Sequence, residues 1–126
     1  MMVNGNTENI KHINVVHCNK GNSLFENSID KVSYILDKYS PDILHIAESN
    51  VTPSYIDNYS LFPGYNMELS GMYYEIGTSR NIILIRDRIP YIRRLDLEDK
   101  NISTIWVELT LGGGKKLLFM GGYRQW

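Results

Sequence analysis

The chain has 126 residues, which suits one domain able to bury roughly two-thirds of its unfolded surface. Apolar residues make up 43% and charged residues 21%, and the formal net charge of -1 excludes a global basic field for nucleic acid or an anionic membrane. Neither a signal segment nor a run of ~18 apolar residues occurs, so we expect a soluble intracellular protein that is not secreted and has no membrane partner.

The chain begins with a polar tail over residues 1–11, and residues 12–126 are expected to form a single domain. Apolar and polar residues alternate from His12 to Cys18, which predicts a strand that ends at Asn19. Because Cys18 is the single cysteine, an internal disulfide and a multi-cysteine zinc site are excluded.

An amphipathic helix is predicted next. Ser23 and Glu26 have the spacing of a capping box, and Pro41 should end the helix. The apolar positions between them recur at steps of four and three: Phe25, Ile29, Val32, Leu36 and Tyr39. The run from Ile43 to Ala47 is too short for a helix and apolar on both faces, so it predicts a central strand reached through a right-handed crossover.

The remainder of the chain is predicted to consist of short strands. "NIILIR" at residues 81–86 is a second continuous apolar run. Residues 103–111 alternate, and the glycines at 112–114 turn the chain into a partner strand at 115–123, which is typical of an antiparallel hairpin. One parallel β-α-β unit followed by antiparallel strands predicts an α/β (α+β) fold with a mixed, mostly antiparallel sheet and a helix on one face.

Several candidate chemistries have simpler structural explanations. His17 and Cys18 are adjacent in a strand, so their side chains point to opposite faces and form a poor nucleophilic dyad. His45 lies inside an apolar strand, which favours a hydrogen-bonded core histidine over a ligand. "GGGKK" lacks the phosphate-loop spacing and fits a hairpin turn. The four arginines of "RDRIPYIRR", residues 86–94, fit either a solvated surface or a nucleic-acid contact.

Asn19 and Glu48 stand out because each follows a strand of the β-α-β unit. Ligands bind at the carboxyl ends of the strands in open α/β sheets. A carboxylate, an amide and water would form an all-oxygen site, which suits Mg²⁺. The residue types alone leave open the alternative that both side chains are turn formers or strand caps.

The order of several short motifs resembles a known family. The motifs are "NVVHCN", "PDILHIAES", "GYNMELS", "SRNIILIRD", "STIWVEL" and "LLFMGGYRQW". Together, over residues 12–126, they resemble the first half of an endonuclease/exonuclease/phosphatase domain of the DNase-I-like superfamily, with most similarity to the nuclease domains of non-LTR retrotransposon polyproteins. The resemblance implies the N-terminal half of a four-layer α/β sandwich, truncated at its C-terminus.

The resemblance also implies roles for three residues. Glu48 corresponds to the metal-binding glutamate, and Asn19 to the asparagine that positions metal and scissile phosphate. Tyr123 corresponds to a phosphate-contacting tyrosine, although residues 124–126 depart from the "Y-x-P-N"-like motif of the family. The implied cofactor is Mg²⁺, with Mn²⁺ as a substitute.

The expected function is that of a fragment of a Mg²⁺-dependent DNA endonuclease associated with a reverse transcriptase. The Asp-x-Asn motif and the late Asp-His pair of the family do not follow Tyr123, so the fragment is expected to be inactive alone. Its expected partners are DNA, the missing C-terminal half and a downstream reverse transcriptase, with a nuclear location if it serves a retroelement. The alternatives are a phosphatase or RNA nuclease of the superfamily, and a non-catalytic binding module or decayed element remnant.

Half of a two-sheet domain would leave the inner face of its sheet uncovered. On that basis Ile13 or Val15, Ile83 or Leu84, and Val107 or Leu109 are expected to face water.

Overall fold

The computed structural model describes residues 12–19, 28–51, 61–70, 79–99 and 102–123, with the backbone alone for 48–51, 79–80 and 123. One helix and seven strands occur in this part of the chain: β1 (Val15–Asn19), α1 (Ile29–Tyr39), β2 (Ile43–Val51), β3 (Tyr65–Leu69), β4 (Ser79–Arg86), β5 (Tyr91–Arg93), β6 (Ser103–Thr110) and β7 (Lys116–Tyr123). Short 3-10 turns precede β6 and join β6 to β7.

The strands form two sheets. The larger sheet has the order β1-β2-β4-β3 and the smaller sheet the order β5-β6-β7. β1 and β2 are parallel and flank α1, whereas all other neighbouring strands are antiparallel. The predicted mixed α/β fold with one β-α-β unit is therefore confirmed.

The helix α1 packs on one face of the larger sheet. Val32 and Leu36, four residues apart, are buried against a cluster that includes Leu44, Ile46 and Ile82. The helix ends as predicted before Pro41, because Ser40 adopts a left-handed backbone conformation with φ of 43°. The predicted capping box, Ser23 with Glu26, lies outside the described residues.

The two sheets pack face to face, and this overturns the expectation of an exposed inner face for β4 and β6, whereas Val15 of β1 is 47% exposed as expected. Ile43, Ile83 and Ile85 of the larger sheet lie in one cluster with Val107 and Leu109 of the smaller sheet, and all five are 0% exposed. The expectation was wrong because it assigned all the strands to one sheet. The chain instead supplies strands to both sheets, so their inner faces cover each other.

An ion network joins the sheets at one side of this sandwich. Arg93 of β5 donates to Glu68 of β3 at 3.0 Å and to Glu98 at 2.8 Å, and the Tyr91 hydroxyl donates to Glu68 at 2.6 Å. Burial, the hydrogen bond with Glu68 and the charge of that carboxylate all raise the pKa of Tyr91. At the other side β1 and β7 are the outermost strands of the described sheets.

No helix in the described part of the chain combines the length and the apolar character of a membrane span.

Candidate active site at one end of the two sheets

Strand pairing brings the three predicted site positions to one end of the sandwich. Asn19, exposed at the end of β1, pairs with Ala47, so the backbone of Glu48 continues from the neighbouring position of β2. Tyr123 ends β7 and pairs with Ser103 at the start of β6. The Asn81 side chain, opposite Ala47 in β4, donates to the carbonyl oxygens of Gly121 and Ser103 and fixes that end of β6 and β7 against the larger sheet.

Glu48 lies at an irregularity inside a strand rather than after it. The predicted strand ended at Ala47, whereas β2 continues to Val51. Between these two residues β2 contains more residues than the opposing segment of β4 from Asn81 to Ser79, and the register shifts as in a β-bulge. Bulges redirect side chains and are common beside active sites. The backbone geometry at Glu48 is therefore that of a strand interrupted at the candidate site.

A network of polar side chains, in which His45 and Asn81 are buried and His17 is exposed, lies beneath these three positions. His17 Nδ1 is 2.8 Å from His45 Nδ1, and His45 Nε2 bonds to Asn81 Oδ1. Asn81 Nδ2 is 2.8 Å from the Gly121 oxygen. His45 is buried, and both of its ring nitrogens have partners. The prediction that His45 is a hydrogen-bonded core histidine is confirmed.

The surroundings of His45 favour the neutral imidazole. Burial is the largest influence and lowers the pKa of His45; the hydrogen bond with Asn81 raises it in part, and the nearby His17 lowers it further. The His45 ring therefore acts as a hydrogen-bonding group in the neutral form.

Gly121 allows the smaller sheet to approach His45 closely. A Cβ atom at this position would lie 2.8 Å from His45 Cδ2 and 3.0 Å from Ile83 Cγ2. Neither atom belongs to a freely moving side chain, because both residues are buried. The close contact between β7 and the larger sheet therefore requires a residue without a side chain.

The remaining sequence candidates have structural roles. Cys18 packs with Val16 on the helix side of β1, whereas His17 contacts His45 on the other face, so the poor geometry of a Cys-His dyad is confirmed. "GGGKK" is the turn between antiparallel β6 and β7, with positive φ at two of its glycines, Gly113 and Gly114.

The four arginines of residues 86–94 all take part in ion pairs. Arg86 and Arg88 pair with Asp42, Arg93 with Glu68 and Glu98, and Arg94 with Asp96 and Glu108. These pairs favour the structural explanation of the arginine-rich segment over a nucleic-acid contact.

Asn81 is the residue of this region that sequence reasoning missed. Its signal was present, because it is a polar residue at the start of a strand whose next four residues, Ile82 to Ile85, are fully buried. Such a side chain needs a buried hydrogen-bond partner, but nothing in the local sequence shows that the partners are His45 and Gly121.

The magnesium site stays a prediction. Among the residues whose side chains are described, no group of three or more His, Cys, Asp or Glu could hold a metal ion. Asn19 at the end of β1 and Glu48 at the bulge of β2 would supply oxygen donors from neighbouring strands, which is the donor type that Mg²⁺ prefers.

Neither a protein-family model nor the sequence of a curated protein matches the chain. Solved structures do match it. The endonuclease domain of TRAS1, a telomere-specific non-LTR retrotransposon, has a TM-score of 0.65 and 16% identity, covering 90% of this chain and 46% of that one. D. rerio TDP2 complexed with a single-strand DNA product has a TM-score of 0.59 and 14% identity, covering 86% and 44%. The AP endonuclease LMAP from Leishmania major has a TM-score of 0.61 and 13% identity, covering 88% and 40%.

These matches define the class of fold. The chain has a partial DNase-I-like fold, and the resemblance seen in its motifs is confirmed at that level. It spans less than half the length of each of these structures, and the match to the TRAS1 domain includes nearly the whole of this chain.

Proposed function

We propose that the chain is the metal-binding part of a Mg²⁺-dependent phosphodiesterase, specifically a DNA endonuclease associated with a reverse transcriptase. The observation that carries the proposal is the convergence of the strand positions of Asn19, Glu48 and Tyr123 at one end of the two sheets. A retrotransposon endonuclease domain and an AP endonuclease have the same fold, which favours DNA over RNA or a small phosphoester as the substrate.

Asn19, Glu48 and Tyr123 would have different roles in phosphodiester hydrolysis. Glu48 would hold the cation, with Asn19 as a further oxygen ligand, and the bound cation would offset the charge that develops on the phosphoryl oxygens. The Asn19 amide and the Tyr123 hydroxyl would orient the phosphate. The partners that follow from this role are DNA, a polypeptide segment that completes the domain, and a reverse transcriptase; the corresponding location is the nucleus.

Metal binding by Glu48→Gln tests the proposal. Glutamine keeps the shape of the side chain but removes its charge, so the affinity of the 126-residue chain for Mg²⁺ or Mn²⁺ should fall at least tenfold in calorimetric titrations. The free energy of unfolding should change by less than about 1 kcal/mol, or rise, because a residue selected for its role in a site is often not the most stable choice for the fold. Asp87→Asn, an exposed carboxylate in the turn after β4 at the other end of the sheet, is the matched control. Unchanged affinity with lost stability would show that Glu48 is a strand cap.

The 126-residue chain alone should not nick supercoiled plasmid in Mg²⁺. It contains no counterpart of the late Asp-His pair that the resemblance implies for water activation, and general acid-base assistance is worth ~10²–10⁴-fold. Gel assays with highly purified protein measure this. Nicking that Glu48→Ala abolishes would mean that the residues that activate water lie within this chain.

A further inference from the structure

We infer that His45 and Asn81 are positioning residues of the candidate active site, which hold the strand ends bearing Asn19, Glu48 and Tyr123 at a fixed separation. The inference rests on the proposed function for the identity of that site. Its basis is a hydrogen-bond network that runs from His17 through the buried His45 and Asn81 to Gly121 and so joins the two sheets.

Asn81 determines which atom donates and which accepts in every hydrogen bond of this network. Its Nδ2 group faces two carbonyl oxygens, those of Gly121 at 2.8 Å and Ser103 at 3.3 Å, and must donate to both. Its Oδ1 therefore faces His45 and accepts from His45 Nε2–H. The neutral His45 ring then has its lone pair on Nδ1, so His17 Nδ1 donates to it at 2.8 Å. Both histidine tautomers are thus fixed by one amide.

Three of the four residues in this hydrogen-bond network stand just before a predicted site residue. His17 precedes Asn19 by two positions, His45 precedes Glu48 by three and Gly121 precedes Tyr123 by two. Because a strand rises ~3.3 Å per residue, the hydrogen bonds lie about 7–10 Å from the three site positions. A change in the length or direction of these bonds would therefore move all three strand ends relative to one another.

The spacing at Gly121 supports the same conclusion independently. With no Cβ at this position, β7 lies close enough for its carbonyl oxygen to accept from Asn81 while the backbone contacts the His45 ring. The separation of the two sheets at this end is therefore set by packing and by hydrogen bonding together.

Stability alone does not explain why a hydrogen-bond network of polar side chains lies here. The cluster just below it, which includes Ile43, Ile83 and Ile105, joins the same two sheets with apolar contacts alone. Apolar packing is undirected, whereas a fully hydrogen-bonded network fixes both distance and orientation. The polar residues occur at the end of the sandwich where the predicted site residues lie.

The experiment uses the ¹⁵N-labelled 126-residue chain and Mn²⁺ as the probe. Long-range ¹H–¹⁵N spectra at about pH 8, where imidazoles are neutral, should show the Nε2–H tautomer for His45 and the Nδ1–H tautomer for His17. Asn81→Leu retains the size of the side chain but removes the bonds. It should redistribute the His45 tautomers, shift the backbone amide resonances of Asn19, Glu48 and Tyr123, and weaken Mn²⁺ binding by ~10–100-fold, as is typical for groups that orient metal ligands.

Tyr65→Phe is the matched control, because it removes a part-buried hydrogen bond of 2.7 Å to the Pro41 oxygen at the opposite end of the larger sheet. It should leave Mn²⁺ affinity unchanged within about twofold and the His45 tautomer as in the wild type. A folded Asn81→Leu protein with wild-type amide positions and wild-type Mn²⁺ affinity would overturn the inference.

The two hypotheses fail in different ways. If the wild-type chain binds Mn²⁺ no better than Glu48→Gln does, the proposed metal site is wrong, and the amide shifts at the three strand ends alone decide whether the positioning role stands. If Asn81→Leu does not fold, His17→Phe replaces it, because His17 is exposed on an outermost strand. That variant should leave His45 in the Nε2–H form, because Asn81 still accepts from it, and should shift the amides of Asn19 and Glu48; unchanged amides would overturn the inference.

Discussion

At the scale of single residues, Asn81 has the largest influence on how the two sheets meet. The side chain is 0% exposed, and its amide accepts from His45 in the larger sheet and donates to Gly121 and Ser103 in the smaller one. A buried polar group that loses its partner costs about 1–3 kcal/mol. The network therefore stabilises this end of the molecule only while every member is present.

Gly121→Ala should destabilise the fold by about 1–3 kcal/mol, because the new Cβ would lie 2.8 Å from His45 Cδ2 and force the ring or the strand to move. Gly122→Ala is the adjacent control. Its Cβ would meet the flexible end of Met120 at 3.1 Å, so stability should change by less than about 1 kcal/mol. Urea unfolding of the two variants measures the difference, and equal stabilities would contradict the close contact at Gly121.

Stability should also depend on pH through His45. Its pKa in the folded chain lies below the ordinary value of 6.5, mainly because the ring is buried. The unfolded chain therefore binds a proton at His45 as the pH falls through 6.5 while the folded chain does not, so the free energy of unfolding decreases below that pH. The slope for one proton is at most about 1.4 kcal/mol per pH unit. Urea midpoints between about pH 7.5 and 5 should show this decline, and it should be weaker in His45→Gln.

At the scale of elements, the side of the sandwich formed by β3 and β5 is held by charge. Arg93 reaches Glu68 across the gap between the sheets and binds Glu98 with two nitrogens, and the two acids are 23% and 11% exposed. A planar guanidinium can make these bonds simultaneously, whereas an ammonium group cannot. This geometry makes Arg93 the main polar link between the two sheets away from the candidate site.

Arg93→Lys should lower the free energy of unfolding by about 1–3 kcal/mol, since one of the two partly buried carboxylates would lose its partner. Arg94→Lys provides the control, because Arg94 also binds two acids, Asp96 and Glu108, but the Asp96 side chain is 61% exposed. The decrease in the free energy of unfolding should therefore be smaller for Arg94→Lys than for Arg93→Lys. Thermal unfolding of both variants tests the comparison; a larger loss for Arg94→Lys would refute the assignment of the link to Arg93.

Much of the element structure could be predicted from sequence because its signals are local. The alternation in residues 103–111, the apolar run from Ile43 and the helical spacing up to Tyr39 each appear in the structure as an element of the expected type. The positions of Asn19 and Glu48 on neighbouring strands also follow from the parallel β-α-β unit.

What could not be predicted depends on contacts between distant residues. Ile82 to Ile85 are apolar on both faces of β4, so the sequence shows that both faces are covered but not that the second cover is another sheet. Asn81 meets Gly121 across a separation of 40 residues, and the bulge at Glu48 arises from a mismatch with β4. These features depend on strand register, which alternation alone leaves undefined between sheets.

At the scale of the whole molecule, burial is uneven. The inner faces of both sheets and the helix side of the larger sheet are covered, whereas no described residue covers the outer face of the smaller sheet. On that outer face Ile92 is 57%, Leu118 50% and Met120 45% exposed. Ile92 and Leu118 flank Glu108 in adjacent strands, so the apolar side chains are neighbours rather than scattered. The surface expected to favour association is therefore this outer face, not the inner face.

The 126-residue chain should self-associate through the outer face of the smaller sheet. Neighbouring exposed apolar side chains and outermost strands such as β7 both favour contacts between chains. Leu118→Lys places a charge at the centre of this face, and should lower both the sedimentation coefficient at high protein concentration and the fluorescence of a bound apolar dye. Tyr34→Lys changes a residue that is similarly exposed, at 58%, on the solvent side of α1 and should have no such effect. A wild-type chain that sediments as a monomer at all concentrations and binds no dye would contradict the prediction. Leu118→Lys would then have no association to reduce.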